Sequence, residues 1–338
     1  MKHTIKILLA ALLCLAMTLM AVGCQTAPAA DDGNTDPTGE QAKKTALTVA
    51  GIQGPTGVGL ANLMETADSS ATIDYTFSIA SSPDEVVGKF SSGEVQIASV
   101  PTNLAAKLYK KLGGDVQTLA INTAGVLYMV ENGNTIQSVA DLRGKTIYST
   151  GEGANPEYVL RHILKENGLD PDKDVTIEFL AENTELVTKL ATGAAEVAMV
   201  PEPALTTVMS KKDTLRVALS MDEEWNKIEP DSGMLMGCVI AKKSFVEKNK
   251  EVVNAFLTEY EASIKAVADV DKTAALCAKH GIIAAEAVAK NAIPRCNLVY
   301  IDGTDMKARI NGYYQILFDA DPTSIGGAVP DAAFYYEG

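Results

Sequence analysis

The residue types that do catalytic work are scarce or badly placed in this sequence of 338 residues. Three histidines leave no His-rich metal centre. His162 sits among Leu160, Ile163 and Leu164 in a helical pattern and His280 precedes Gly281 at a helix end, so both read as structural. The segment GPTGVGL holds Gly54 and Gly59 at phosphate-loop spacing, but Leu60 and Ala61 stand where that loop needs Lys and Ser or Thr. Gly151-x-Gly153 meets Pro156 where a dinucleotide fingerprint needs its third glycine. HExxH, paired CxxC, EF-hand and GxSxG patterns are absent. Carboxylates are plentiful, yet no pair has the spacing of a catalytic dyad. No catalytic residue, metal ligand or cofactor is assigned, and a binding role without catalysis is expected.

What remains is hydrogen-bonding chemistry in short loops. Gly54-Pro55-Thr56-Gly57, Ser81-Ser82 and Pro101-Thr102-Asn103 form one set. Thr150-Gly151-Glu152-Gly153-Ala154-Asn155, Glu182-Asn183 and Pro201-Glu202 form a second. These loops are small, hydroxylated or amide-bearing, and each leads into a helix whose first backbone N–H groups are free to meet a ligand. Any one Ser or Asn alone would be read as a helix cap; six such loops facing one cleft are read together as a site. The candidate ligand-binding residues are Gly54, Pro55, Thr56, Ser81, Ser82, Thr102, Asn103, Thr150, Gly151, Asn155 and Glu202. Trp225 joins them as a stacking surface, although a core or surface place on its own helix accounts for it equally well. Arg143, Arg161, Arg216, Arg295 and Arg309 all fall outside the loops, and Glu152 and Glu202 repel an anion unless they face away. The expected ligand is therefore a neutral or nitrogen-bearing heterocycle.

An internal repeat supplies the elements that position these loops. Residues 84–101, DEVVGKFSSGEVQIASVP, align without a gap on residues 184–201, TELVTKLATGAAEVAMVP, with seven of eighteen positions identical. Each copy opens on an N-cap candidate, Ser82 or Asn183, and continues with one apolar helical face: Val86, Val87 and Phe90, or Leu186, Val187 and Leu190. Gly93 and Gly193 stop the helices, and a short apolar strand ending at a proline follows each. Strands at 75–80 and 175–181 precede the copies, and further strands at 47–52 and 146–148 run through glycine-containing turns into helices. Strands alternating with helices imply two mostly parallel sheets. Apolar segments at 124–130 and 235–241 are expected to carry the chain from one lobe to the other and back. The remainder reads as helical, at 243–267, 271–280, 284–292 and 304–319.

The composition agrees with a globular body: 47% hydrophobic, 21% charged. A net charge of −14 argues against nucleic acid as a partner. The start is different. Lys2 and Lys6 precede an uncharged apolar run at 7–22, about the length of a signal-peptide core. Met20-Ala21-Val22-Gly23-Cys24 resembles the lipobox of bacterial lipoproteins, which implies cleavage before Cys24 and acylation of its thiol. The following stretch, rich in Ala, Pro, Asp, Gly and Thr, reads as a flexible tether. Of the remaining cysteines, Cys277 and Cys296 leave one bridge open, but three buried or free thiols with Cys238 is the favoured reading.

The segment SVADLRGKTIYSTGEGANPEYVLRHILKENGLD (138–170), with Asp141-Leu142-Arg143-Gly144-Lys145, together with Val200-Pro201-Glu202-Pro203 and Phe245-Val246-Glu247-Lys248-Asn249-Lys250, resembles the solute-binding lipoproteins of ABC importers. More narrowly it is similar to the nitrate/sulfonate/taurine group, which includes binders of thiamine-precursor pyrimidines. The resemblance covers residues 46–338. It implies an α/β, type II periplasmic-binding-protein-like fold: two lobes with mostly parallel sheets joined by a two-strand hinge, closing on a small molecule. Its partners would be an ABC permease with a separate ATPase, and the membrane through the lipid anchor on the extracytoplasmic face. The expected division is signal peptide 1–23, lipidated Cys24 and linker 24–45, lobe one 46–124 plus 242–338, and lobe two 125–241; a monomer is expected. Two other roles occur on this fold, presenting ligand to a membrane sensor and pyrimidine-biosynthesis-type catalysis.

Overall fold

The computed structural model describes residues 44–338, and Ala42–Gly338 form one compact unit. The expected signal peptide, Cys24 and nearly all of the linker lie outside the described residues; Thr45 already belongs to the first strand. In chain order come β1 (Thr45–Ile52), α1 (Pro55–Val58), α2 (Ala61–Thr66), β2 (Ile73–Ala80), α3 (Pro83–Ser92), β3 (Ile97–Pro101), α4 (Thr102–Lys111) and β4 (Gln117–Thr123). Next are β5 (Leu127–Asn132), β6 (Thr146–Thr150), α5 (Asn155–Glu166), β7 (Thr176–Leu180), α6 (Asn183–Thr192), β8 (Val197–Pro201), α7 (Ala204–Met209), β9 (Leu215–Ser220) and α8 (Met221–Ile228). The chain ends with β10 (Gly237–Ala241), α9 (Lys243–Val246), α10 (Lys250–Ala266), α11 (Val270–Lys279), α12 (Glu286–Ala292), β11 (Leu298–Asp302) and α13 (Gly303–Ala320).

The strands form two sheets, β11-β4-β10-β3-β1-β2 and β7-β6-β8-β5-β9. β1 pairs in parallel with β2 and β3, as β6 does with β7 and β8. β10 lies antiparallel between β3 and β4, and β5 lies antiparallel between β8 and β9. Both sheets are therefore mixed, with β1–β4 running one way against β10 and β11, and β6–β9 running one way against β5. The antiparallel partner has the same origin in each lobe: it is the strand the chain forms on arriving from the other sheet.

The repeat seen in the sequence is a structural repeat. α3 ends at Gly93 (φ 83°) and α6 at Gly193 (φ 79°), both left-handed, and each glycine N–H donates back to the carbonyl three residues earlier, Phe90 or Leu190. Only glycine adopts this conformation without a steric cost from Cβ. Val86 and Phe90, like Leu186 and Leu190, have no exposed surface and seat the helix on its sheet. One cap differs from expectation: the N-cap of α6 is Glu182, and Asn183 is its first helical residue. The expected strands do not include β4, β9 and β11, and the expected helix at 243–267 is broken into α9 and α10 around Asn249.

The chain crosses between the sheets at residues 124–126 and again at 229–236. Of the segment expected to carry the return, residues 237–241 are already β10, inside the first sheet. The crossings are bolted to each other and to both lobes. Met236 N–H donates to the Thr123 carbonyl, and Ala124 N–H to the Asn297 carbonyl, each at 3.0 Å. Asn297 Nδ2 reaches the Gly125 carbonyl (3.2 Å) and Asp222 Oδ2 (3.1 Å), while Gly125 N–H donates to Asp222 Oδ1. Asn297 holds φ at 46°, the one non-glycine residue with positive φ among the described residues. Such strain persists where surrounding bonds over-determine it. A Cβ on Gly125 would fall 2.4 Å from Asp222 Oδ1 and from the Met234 Cε, so the packing at this crossing requires glycine. Gly125→Ala should lower the unfolding free energy of the Ala42–Gly338 protein by about 1–3 kcal/mol, read from urea denaturation; an unchanged midpoint would contradict this packing.

Candidate functional site

Parallel strands present all their carboxyl ends along one edge, and the chain turns there into helices. Six helices arise this way, α1, α3 and α4 from β1, β2 and β3, and α5, α6 and α7 from β6, β7 and β8. None of the six N-cap side chains accepts a hydrogen bond from its helix. Outside these six, α8 and α11 are capped by Ser220 and Asp269, while α2, α9, α10, α12 and α13 also lack a side-chain cap. Ser, Asp and Asn caps are common because they satisfy otherwise orphaned N–H groups. In α7 the first-turn Thr206 N–H is taken by the Glu202 carboxylate, which leaves α1, α3, α4, α5 and α6 with first-turn N–H groups that no side chain takes.

The two edges meet. Thr102, opening α4, and Asn155, opening α5, are buried, and Asn155 Nδ2 donates to the Thr102 hydroxyl at 3.0 Å and to the Met236 carbonyl at 3.3 Å. Thr102 gives its own hydroxyl proton to the Leu235 carbonyl at 2.7 Å. Lys107 on α4 donates to the Gly153 carbonyl at 3.2 Å, and Tyr158 on α5 to Asp321 at 3.1 Å. Gly54 (φ 102°) opens towards Pro203, whose Cδ lies 4.0 Å from where a Cβ would be. The lobes are thus in contact at several of the expected loops.

The remaining candidates fall into distinct places. Pro55 begins α1, and the Thr56 carbonyl accepts from Asn122 Nδ2 at 3.2 Å. Asn103 is buried in the first turn of α4. Thr150 donates to Asn183 Oδ1 at 2.8 Å, which ties two loops of the second lobe together, and Gly151 holds φ at 83° above Pro156. Ser82 is the N-cap of α3, and exposed Ser81 donates its N–H to Glu85 at 3.3 Å; neither makes a recorded bond to the other lobe.

Two candidates are committed elsewhere. Trp225 is 0% exposed: its Nε1 donates to Ser232, and its ring packs on His162 and Tyr313 with centroids 4.9 and 5.3 Å away. Protein covers its faces, so it offers no stacking surface. Glu202 also has a fully buried carboxylate, paired with Arg295 Nε at 2.5 Å and bonded by Thr206 through both its N–H and its hydroxyl. Arg295 Nη2 donates to the same hydroxyl at 2.7 Å. Arg295 comes from the chain after α12, so this pair ties that segment to the second sheet's α7. The other four arginines are also paired, Arg143 with Asp174, Arg161 with Glu157 and Asp172, Arg216 with Glu131 and Arg309 with Asp305.

Sequence reasoning missed the residues behind the loops. Asn122 Nδ2 sits within hydrogen-bond distance of Ser99 and Tyr260 as well as Thr56, a buried polar bracket beneath α1. Burial holds the Asp222 carboxyl above its usual range, against the bonds from Asn297 and Gly125 that favour its charge. Cys238, Cys277 and Cys296 are free and buried; burial pushes the Cys277 thiol up to about 12 and the other two higher still, which removes thiolate chemistry from the interior. No group of His, Cys, Asp and Glu among the described residues could hold a metal ion.

Comparison with known proteins agrees with this architecture. Residues 59–287 match the family model described as ABC transporter, phosphonate, periplasmic substrate-binding protein. No curated protein sequence matches the chain. Among solved structures, an ABC transporter protein from Parabacteroides distasonis is 24% identical over 87% of this chain and 99% of its own, with a TM-score of 0.73. The periplasmic aliphatic sulphonate binding protein from Escherichia coli is 14% identical over 86% and 95%, TM-score 0.68. The alkanesulfonate-binding protein from Xanthomonas axonopodis pv. citri, bound to MOPS, is 12% identical over 87% and 98%, TM-score 0.63. The fold and its cleft define a two-lobed periplasmic binding protein. The chain belongs to the phosphonate-type family of periplasmic substrate-binding proteins, the components that bring solutes to ABC importers.

Removing Arg295 leaves the Glu202 carboxylate buried without its cation. Because the guanidinium is partly exposed, Arg295→Ala should cost roughly 1–3 kcal/mol of stability, and adding Glu202→Gln should recover at least half. Denaturation of the single and double variants checks this; no recovery would contradict the pairing as the cause.

Proposed function

We propose that this chain is an extracytoplasmic lipoprotein, acylated at Cys24, that captures one small oxyanion-bearing solute between its lobes and passes it to an ABC permease driven by a separate ATPase. It acts as a monomer, without catalysis. The observation that supports the reading is the set of five helix N-termini on facing strand ends, those of α1, α3, α4, α5 and α6, whose first-turn N–H groups no side chain takes. Backbone N–H groups aligned with the helix dipole bind anions. The loops at Gly54–Thr56, Ser81-Ser82, Thr102-Asn103, Thr150-Gly151 and Asn155 supply them.

Part of the case for a heterocycle loses its force. Trp225 has no open face, and Glu202 is neutralised by Arg295 and turned inward. The family description names phosphonates, which supports an anion. With every arginine already paired, the anion is held by main-chain donors and hydroxyls. Such a site needs exclusion of water to be strong, which closure of two lobes provides. Among the described residues no helix is long and apolar enough to cross a membrane, in keeping with a body held by its acylated end.

Calorimetry of the Ala42–Gly338 protein should show methylphosphonate binding one to one and cytosine not binding; binding of cytosine without the anion would overturn this reading. In cells of a bacterium that processes lipoproteins, the full chain should incorporate labelled palmitate, and Cys24→Ser should abolish the label. Label retained in that variant would contradict anchoring at Cys24.

A further inference from the structure

Arg295 stands where the chain passes from the first lobe's helices to the crossings. The residues before it are held to that lobe by apolar packing: Ile282, Ala289 and Ile293 form one buried cluster with Val58 of α1 and Ala61 of α2. Just beyond it, Cys296 is fully buried and Asn297 bonds the Gly125 carbonyl at the first crossing. What reaches the second lobe from Arg295 is polar. Its Nε donates to the fully buried Glu202 carboxylate at 2.5 Å, and its Nη2 to the Thr206 hydroxyl at 2.7 Å. Its carbonyl accepts from the Tyr128 hydroxyl of β5 at 3.0 Å. Glu202 in turn donates its N–H to the Val126 carbonyl at 3.1 Å, at the end of that same crossing. The pair therefore spans the two lobes beside the hinge.

The two attachments differ in kind. Parting the segment from Val58 and Ala61 would expose hydrocarbon to water, so it stays with the first lobe. A charge pair parts and rejoins readily, because water solvates both charges once they separate. Rotation about the crossings thus carries Arg295 with one lobe and Glu202 with the other. We propose that the Arg295–Glu202 pair is a hinge brace that holds the lobes together in the ligand-free protein, so that a solute enters only while the pair is parted. This rests on the reading that the lobes open and close around a solute. Every partner in the brace is a protein group, so its formation needs no ligand. Arg295 is a positioning residue, which acts through Glu202. With an apolar side chain in its place, the closed state keeps the Glu202 carboxylate buried with the two bonds from Thr206 and no cation. Opening lets water reach that carboxylate, so loss of the cation favours the open state.

Small-angle X-ray scattering of the folded, ligand-free Ala42–Gly338 protein tests the brace. Arg295→Met, which fills much of the same space without the charge, should raise the radius of gyration above that of wild type. Adding Glu202→Gln, which removes the stranded charge, should reverse at least half of the rise. A merely structural role lowers stability and leaves the shape of the folded protein unchanged. Equal radii in wild type and Arg295→Met therefore overturn the brace, and so does a rise that Glu202→Gln does not reverse. Should Arg295→Met fail to fold, Thr206→Val takes its place, since it keeps both charges and removes the hydroxyl that joins them. A larger radius in that variant supports the brace and an unchanged one overturns it. No ligand enters the measurement, so an unchanged radius counts against the brace alone, while the solute reading fails separately, by calorimetry.

Discussion

The cleft depends on one constraint: a parallel strand that turns at once into a helix places that helix's unsatisfied N–H groups at the carboxyl edge of the sheet. Six times the chain makes this turn, after Ile52, Ala80, Pro101, Thr150, Leu180 and Pro201. Because the strands in each set are parallel, the turns share an edge, and because the lobes meet at Thr102 and Asn155, the edges face one another. Donors left without caps then gather along the facing edges, while the buried Glu202 carboxylate, paired with Arg295, takes the first turn of α7. That arrangement binds by orientation more than by net charge, and it accommodates a chain whose overall charge is −14.

The apparatus that brings the lobes together is separate from the loops. Two crossings run side by side and are pinned by Asp222 and Asn297 at Gly125. Farther out, the Arg295–Glu202 pair and the Tyr158–Asp321 and Lys107–Gly153 bonds tie the lobes at other points. These polar contacts, each of modest net worth against water, lie beside an apolar one: Trp225 of α8 packs on Tyr313 of α13, within a buried apolar cluster that runs through both lobes.

Much of this was legible in the sequence because the repeat carries its own physics. Gly93 and Gly193, Phe90 and Leu190, and Pro101 and Pro201 occupy equivalent places for the same reasons, so aligning them located β3, β8, α3 and α6 together. DLRGK and VPEP pointed to the importer binding proteins, and residues 59–287 match a family of them, although its description names phosphonates where the resemblance suggested nitrate, sulfonate and taurine. What could not be read were the long-range partners. Arg295 lies 93 residues from Glu202, and nothing local says they pair. Trp225 is flanked by acidic and polar residues that look like a surface, yet Tyr313 and His162 cover its ring. Asn122, Asp222 and Asn297 are ordinary residues by type; their importance comes from burial, which sequence pattern does not show.

Backbone hydrogen exchange tests the central claim most directly. With methylphosphonate saturating the Ala42–Gly338 protein, amides in the first turns of α1, α3, α4, α5 and α6 should exchange more slowly, in both lobes at once, as the ligand occupies them and the lobes close. Protection confined to one lobe, or found instead along the open groove lined by Glu157, Arg161, Asp319 and Asp321, would contradict capture of the solute between facing helix N-termini.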